Sequence, residues 1–273
     1  MKNLISKFAI PMLLLAMYVF QHPSCEDSMK KFNPEKDLLS LHYDHAPDKD
    51  DGQSAAADRT ILQSMFGKEW IKKHAIPVSG AYGKNAEMFN VQSNAVMDAA
   101  WNDCGGWLAG HENHEKVVAQ LADRWIEVLK AGGDIWVKEG GQSDITAEVV
   151  RRIRKLAPEI DTKKRIHVVQ HASWNEEQTT DSALAYTKEY TNYIRIDDAN
   201  AYLNIKGGDE AFVKAAYEHP IFGKIWKAAF EYYNPKERLD FSDTGELMYI
   251  LGLGKISIDE FRKRFLSSND SRL

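Results

Sequence analysis

Asp44, Asp48, Asp50 and Asp51 occupy four of the eight positions from 44 to 51, in the stretch Leu41-His42-Tyr43-Asp44-His45-Ala46-Pro47-Asp48-Lys49-Asp50-Asp51-Gly52. Carboxylates this close repel one another and raise each other's pKa unless a cation sits among them. A hard divalent cation, which prefers oxygen donors, is the chemistry that such a cluster suggests. The plainer reading is a solvated acidic turn in which Asp50 or Asp51 caps the following helix.

The elements around the cluster decide what it can face. The apolar run Leu38-Leu39-Ser40-Leu41 precedes it and a Pro47 turn bounds it, so the run reads as a buried strand. Residues 53–65 read as a helix. The acids therefore sit on a loop that leaves a strand and enters a helix, the end of an open α/β sheet where ligands bind. Further along, strands are expected at 75–80, 134–138, 165–169 and 193–196. Helices are expected at 53–66, 91–101, 116–131, 145–156 and 179–190, then near 210–232, 245–251 and 258–266. Strands alternating with helices over about 200 residues predict an open, mainly parallel, Rossmann-like α/β sheet with helices on both faces.

The chain has 273 residues and a formal net charge of -5, with 44% hydrophobic and 27% charged residues. That is ordinary for a globular protein of one large α/β domain, expected here over 36–273. No long basic run exists, which argues against nucleic acid as a partner; Arg151-Arg152-Ile153-Arg154-Lys155 reads as the solvated face of a helix. Residues 1–24 carry Lys2 and Lys7 ahead of an apolar stretch over 8–20, the pattern of a secretory signal peptide or an uncleaved N-terminal anchor. Residues 25–35 read as a linker. An exported protein is expected: periplasmic, extracellular or held to a membrane. Cys25 stands where a bacterial lipoprotein would be acylated, although His22-Pro23-Ser24 fit such a site poorly. The second cysteine, Cys104, reads as a packed thiol. His111-Glu112-Asn113-His114-Glu115 lacks the i, i+4 histidine pair of a zinc helix and reads as the start of a helix.

Taken together, four segments resemble the nucleoside hydrolase superfamily, and within it the nucleoside hydrolase-like branch of secreted bacterial proteins. The first is Asp44-His45-Ala46-Pro47-Asp48-Lys49-Asp50-Asp51-Gly52-Gln53-Ser54. The second is Pro77-Val78-Ser79-Gly80, with Ser93-Asn94-Ala95 downstream. Gly140-Gly141-Gln142-Ser143-Asp144 stands in place of a Gly-Pro-x-Thr-Asn loop, and Ser242-Asp243-Thr244 resembles the late aspartate stretch. The motifs run in family order from 41 to 253.

The resemblance implies a Ca2+ ion that positions a water and binds sugar hydroxyls while a glycosidic C–N bond breaks. Carried over by position, it implies metal ligands Asp44, Asp51 and Asp243 with the Ser143 carbonyl; Asp48, which stands where the standard enzymes have glycine, is expected to join them in place of the carboxylate missing at Ala46. It implies catalytic roles for Asp48 and Asp44. Sugar or base contacts are expected from Asp50, Asn94, His171 and Trp174, and the partner would be a small glycoside or free sugar. Two departures stand out: Ala46 occupies the position of the family's ligand-and-base aspartate, and Ser242 that of a histidine before the late aspartate. His45 or His171 could replace the lost acid chemically. The leading expectation is a secreted N-glycosidase acting on a riboside or related glycoside. The alternative is a carbohydrate-binding protein that keeps the fold without catalysis. A third expectation is O-glycoside hydrolysis by a carboxylate pair, Asp48 with Asp243. Trp101, Trp107, Trp136 and Trp174 could stack on sugar, or simply fill the core.

Overall fold

A computed structural model describes residues 30–267. The expected signal peptide or anchor at 1–24 and Cys25 lie outside the described residues. Among the described residues no helix is long and apolar enough to cross a membrane.

The strands are β1 (Leu38–Tyr43), β2 (Ala75–Ser79), β3 (Leu108–Ala109), β4 (Ile135–Gly140), β5 (Ile166–Gln170), β6 (Asn192–Arg195), β7 (Asn204–Lys206) and β8 (Arg238–Asp240). The first half of the chain contributes helices α1 (Asp50–Phe66), α2 (Lys68–His74), α3 (Asn94–Trp101), α4 (His114–Lys130), α5 (Asp144–Leu156) and α6 (Thr162–Arg165). The second half contributes α7 (Ser173–Gln178), α8 (Asp181–Tyr190), α9 (Asn200–Leu203), α10 (Glu210–Glu218), α11 (Gly223–Tyr232), α12 (Thr244–Ile250) and α13 (Ile258–Phe265).

Six strands form one sheet in the order β3-β2-β1-β4-β5-β6, every neighbouring pair parallel. This is an open α/β Rossmann-like sheet, as the alternation of strands and helices predicts. All six side chains of β1 are buried, as are those of β4, the pattern of central parallel strands covered on both faces. One face packs Leu39, Leu41, Tyr43 and Trp136 against α1, α3, α11 and α12. The other packs Leu38, Val78, Ile135 and Val137 against α4 and α5.

The strand order reverses between β1 and β4. The crevice beyond the carboxyl ends of two such strands is where open α/β sheets place ligands. β1 delivers Asp44 to that crevice and β4 delivers Gly140, and the Asp44 amide bonds the Gly140 carbonyl at 3.1 Å.

The structure departs from expectation in several places. α1 begins at Asp50 rather than 53, so Asp50 and Asp51 form its first turn, and the N-cap is Lys49 with no side-chain cap bond. The segment expected near 210–232 is two helices, α10 and α11, divided where Pro220 lacks the N–H to continue a helix. The helix expected at 179–190 is preceded by the separate α7, and 91–93 is a 3-10 turn before α3. The antiparallel pair β7–β8, made from strands of three residues, had no apolar run to announce it.

A carboxylate cavity at the strand switch

A cavity of about 210 Å³ opens at the carboxyl ends of β1 and β4. Six aspartates line it: Asp44, Asp48, Asp50, Asp51, Asp240 and Asp243. Gly140, His171, Ala172, Trp174, Asn175, Asn200, Arg238 and Ser242 complete much of the wall.

Hydrogen bonds hold four of these carboxylates in place. Asp44 leaves β1 with its Oδ1 accepting from the Ala46 amide at 3.0 Å and its Oδ2 accepting from Gln142 Nε2. Asp51 Oδ2 accepts from the His45 amide at 2.8 Å, which closes the loop onto the first turn of α1. Asp50 Oδ1 accepts from the Asp51 amide at 3.1 Å. Asp243, at the start of α12, accepts from Ser54 Oγ at 3.3 Å and from His171 Nε2 at 2.9 Å. One oxygen each from Asp50, Asp51 and Asp243 lies within 4.8 Å of the others.

Burial dominates the electrostatics. It raises Asp44 and Asp240 to about 7, against the counter-effect of their hydrogen bonds. Burial and the neighbouring carboxylates push Asp50 and Asp51 well above the usual range, and burial also raises Asp48. Asp243 behaves oppositely. Burial alone would raise it, but Lys138 and His171 outweigh burial and hold it below the usual carboxylate range. His171 moves up to about 9, since its bond to Asp243 and the charge of Glu246 outweigh the cost of burial.

Beneath the cluster lies Lys138, fully buried. Its Nζ stands 3.8 Å from Asp58 Oδ2, 3.3 Å from the His42 carbonyl and 4.1 Å from the centre of the Tyr43 ring. A Cβ on Gly140 would stand 2.5 Å from that Nζ and 2.7 Å from the His42 carbonyl, so glycine is needed where the strand turns over the ammonium. Burial opposes the charge of Lys138, but Asp58, Asp243, Asp51 and Glu246 outweigh it.

The donor set fits a hard divalent cation on two observations. The three grouped donors, from Asp50, Asp51 and Asp243, are all carboxylate oxygens, the ligand type that such ions select. Asp51 Oδ1 is also buried with no hydrogen-bond partner, an arrangement that is costly unless something positive meets it.

Of the residues expected at the site, Asp44, Asp48, Asp50, Asp51, Asp243, His171 and Trp174 share this cavity. Ser143 and Asn94 are not in its wall. The Ser143 carbonyl accepts the first helical bond of α5, from the Ala147 amide at 2.9 Å, and Gly140 takes the cavity-facing place. Asn94 starts α3 and donates to Glu112 Oε1 at 3.1 Å. His45 is fully buried beside Tyr43, Phe89 and Tyr232, and burial, then Lys138, pulls it down to about 3. It is a neutral core imidazole and not a wall residue. Trp101 and Trp136 are core, and the Trp107 indole is bonded to Asp98. Trp174, 52% exposed, stands alone among the four at the cavity. His114 pairs with Glu148 and His111 stacks on Phe89, so the 111–115 segment forms no metal cluster among the described residues.

Sequence reasoning missed Arg238, Asp240, Asn175, Asn200 and Lys138. Two signals were present. Arg238-Leu239-Asp240-Phe241 alternates polar and apolar as a short strand does. Lys138 and Glu139 interrupt an otherwise apolar strand, where charges persist only with partners.

The fold and cavity define a Rossmann-like α/β protein with a carboxylate-lined cavity at its topological switch point. Comparison of the chain with protein-family models, curated proteins and solved structures finds no match. The resemblance to nucleoside hydrolases therefore rests on the order and content of the loops.

Proposed function

We propose that the cavity hydrolyses the N-glycosidic bond of a riboside or related glycoside, with a hard divalent cation, Ca2+ by the loop resemblance, held by Asp50, Asp51 and Asp243 and flanked by Asp44. The observation that carries the reading is the convergence of six aspartates on one cavity at the switch between β1 and β4. The order of the loops supplies the reaction class. When bound, such a cation acidifies a water and holds adjacent hydroxyl groups.

The remaining work falls to side chains. Ala46 lines the cavity where a base is expected and cannot accept a proton. Both oxygens of Asp44 are occupied by Ala46 and Gln142. Asp48 is the exposed acid of the wall, and it accepts the proton of the attacking water. Trp174 offers an exposed aromatic face for a ring of the substrate. The apolar N-terminal stretch of the sequence supports an exported protein.

Calorimetric titration of ribose into the protein with and without Ca2+, followed by a screen of ribosides for release of the free base, tests the reading. Cation-dependent sugar binding with turnover is the expected result. Binding without turnover of any glycoside would instead favour a carbohydrate-binding protein, in which Ala46 marks the lost base. No cation-dependent binding would sink both readings.

A further inference from the structure

Arg238 is the arginine of the cavity wall, and although its charge faces the acids Asp240 and Asp48, its hydrogen-bond donors are unspent. Asp240 Oδ2 is the nearest acid, 3.9 Å from its Nη1, and the guanidinium donates no hydrogen bond to any described residue. Asp240 is already engaged elsewhere. Its Oδ1 accepts from the Ser242 amide at 3.2 Å and its Oδ2 from Asn204 Nδ2 at 2.5 Å. The position of Arg238 is nevertheless well defined. Its strand pairs with Lys206, its amide bonds the Asn234 carbonyl at 3.2 Å, and its carbonyl accepts from Gln53 Nε2 at 3.1 Å. Asn175, on α7, is 9% exposed in the same wall and its side-chain amide is likewise without a partner among the described residues.

A guanidinium in the cavity wall, carried on a strand whose backbone is fixed and with its hydrogen-bond donors free, is placed to meet a ligand that enters the cavity. Its planar fork matches phosphate oxygens two at a time, which a sugar hydroxyl cannot do. The six aspartates make this more telling, because an unassisted phosphate would be repelled from such a cavity. We infer that the glycoside taken by this site carries a phosphate, bound by Arg238 with help from the Asn175 amide. This rests on the cation-dependent glycoside reading above and names its substrate class: a phosphorylated riboside rather than a free one.

The test compares ribose with ribose 5-phosphate in Ca2+-containing buffer, by calorimetry, for the wild type, Arg238→Met and Arg238→Lys. Charge-assisted bonds of this kind correspond to a preference on the order of tenfold or more for the phosphorylated sugar. Arg238→Met should bring that preference close to one, and Arg238→Lys should restore part of it, since lysine meets phosphate as a point charge only. An unchanged melting temperature in both variants separates lost recognition from lost folding. If ribose binds with Ca2+ and the phosphate confers no preference, or Arg238→Met keeps the preference, the phosphate inference is overturned while the glycoside reading stands. If neither sugar binds, both fall.

Discussion

His171 Nε2 and Asp243 Oδ1 lie 2.9 Å apart and both side chains are buried, although 72 residues separate them in the chain. The contact ties the loop after β5 to the start of α12 within the cavity wall. The His171 amide strengthens the tie by donating to Glu246 Oε1 at 2.8 Å. Glu246 itself is pushed up to about 8 by burial, against the pull of His171 and Lys138. The loop that leads into α7, which carries Trp174 and Asn175, is thus anchored to the helix that Asp243 precedes.

Calcium is expected to raise the melting temperature of the wild type and to leave Asp51→Asn unmoved, because binding to the native state alone stabilises it. Asparagine can still accept the His45 amide bond through its carbonyl oxygen. Without cation, Asp51→Asn should melt at or above the wild type, since the substitution removes a buried, crowded carboxylate. Thermal denaturation in calcium and in chelator checks both points. A variant that still responds to calcium would remove Asp51 from the cation site.

The metal-free protein should lose stability as pH rises from about 4 to about 7. Asp44 and Asp240 titrate near 7 when folded, against about 3.9 in an unfolded chain. Within that window the native state holds more protons than the unfolded state, so stability falls with rising pH. Asp243 is shifted the other way, and its contribution is lost only as pH falls below the ordinary carboxylate range. Denaturant unfolding at pH 5 and pH 7.5 in chelator measures the slope. Calcium should flatten it, and a chelated protein more stable at pH 7.5 would contradict the burial argument.

Breaking the buried Lys138–Asp58 pair should cost about 3–5 kcal/mol, because the remaining partner is left as an uncompensated buried charge. Lys138→Met should cost more than Asp58→Asn. The methionine variant leaves Asp58, Asp51, Asp243 and Glu246 without their common cation, whereas asparagine can still accept the 2.7 Å bond from Tyr43. Equilibrium unfolding in urea ranks the two variants, and the reverse order would move the weight of the network to Asp58.

Asp48→Asn should reduce turnover by about 10²–10⁴-fold, the usual loss for a positioned base. Sugar affinity in calcium should change little, because Asp50, Asp51 and Asp243 remain. Steady-state kinetics beside calorimetry separates the two effects. If Asp48→Asn turns over like the wild type, the proton goes elsewhere, and Asp44 is the next carboxylate to substitute.

Local pattern was enough to place five of the six strands of the sheet, the two-residue β3 (Leu108–Ala109) being too short to leave one. The largely apolar runs of β1, β2, β4 and β5 are each read from consecutive residues, because a central parallel strand is buried on both faces, and the short edge strand β6 from Tyr193 and Ile194. The acids from Asp44 to Asp51 were legible for the same reason: a strand end, a turn and a helix start are all local. What the sequence left undecided were matters of distance. His45 and His171 are the same residue type, each beside a candidate loop. Only packing makes one a neutral core ring at about 3 and the other the partner of Asp243 at about 9. Ser143 and Gly140 are three residues apart, and whether a carbonyl enters a helix or a cavity depends on where α5 begins. Asp240 and Arg238 come from a three-residue strand whose pairing with β7 spans more than 30 residues. A strand that short leaves only the brief alternation Arg238-Leu239-Asp240-Phe241 in the sequence, with nothing to say which distant strand it pairs with. The six-aspartate cavity exists because tertiary structure folds β8 and α12 back over the end of β1, and burial there sets the charge that each carboxylate can hold.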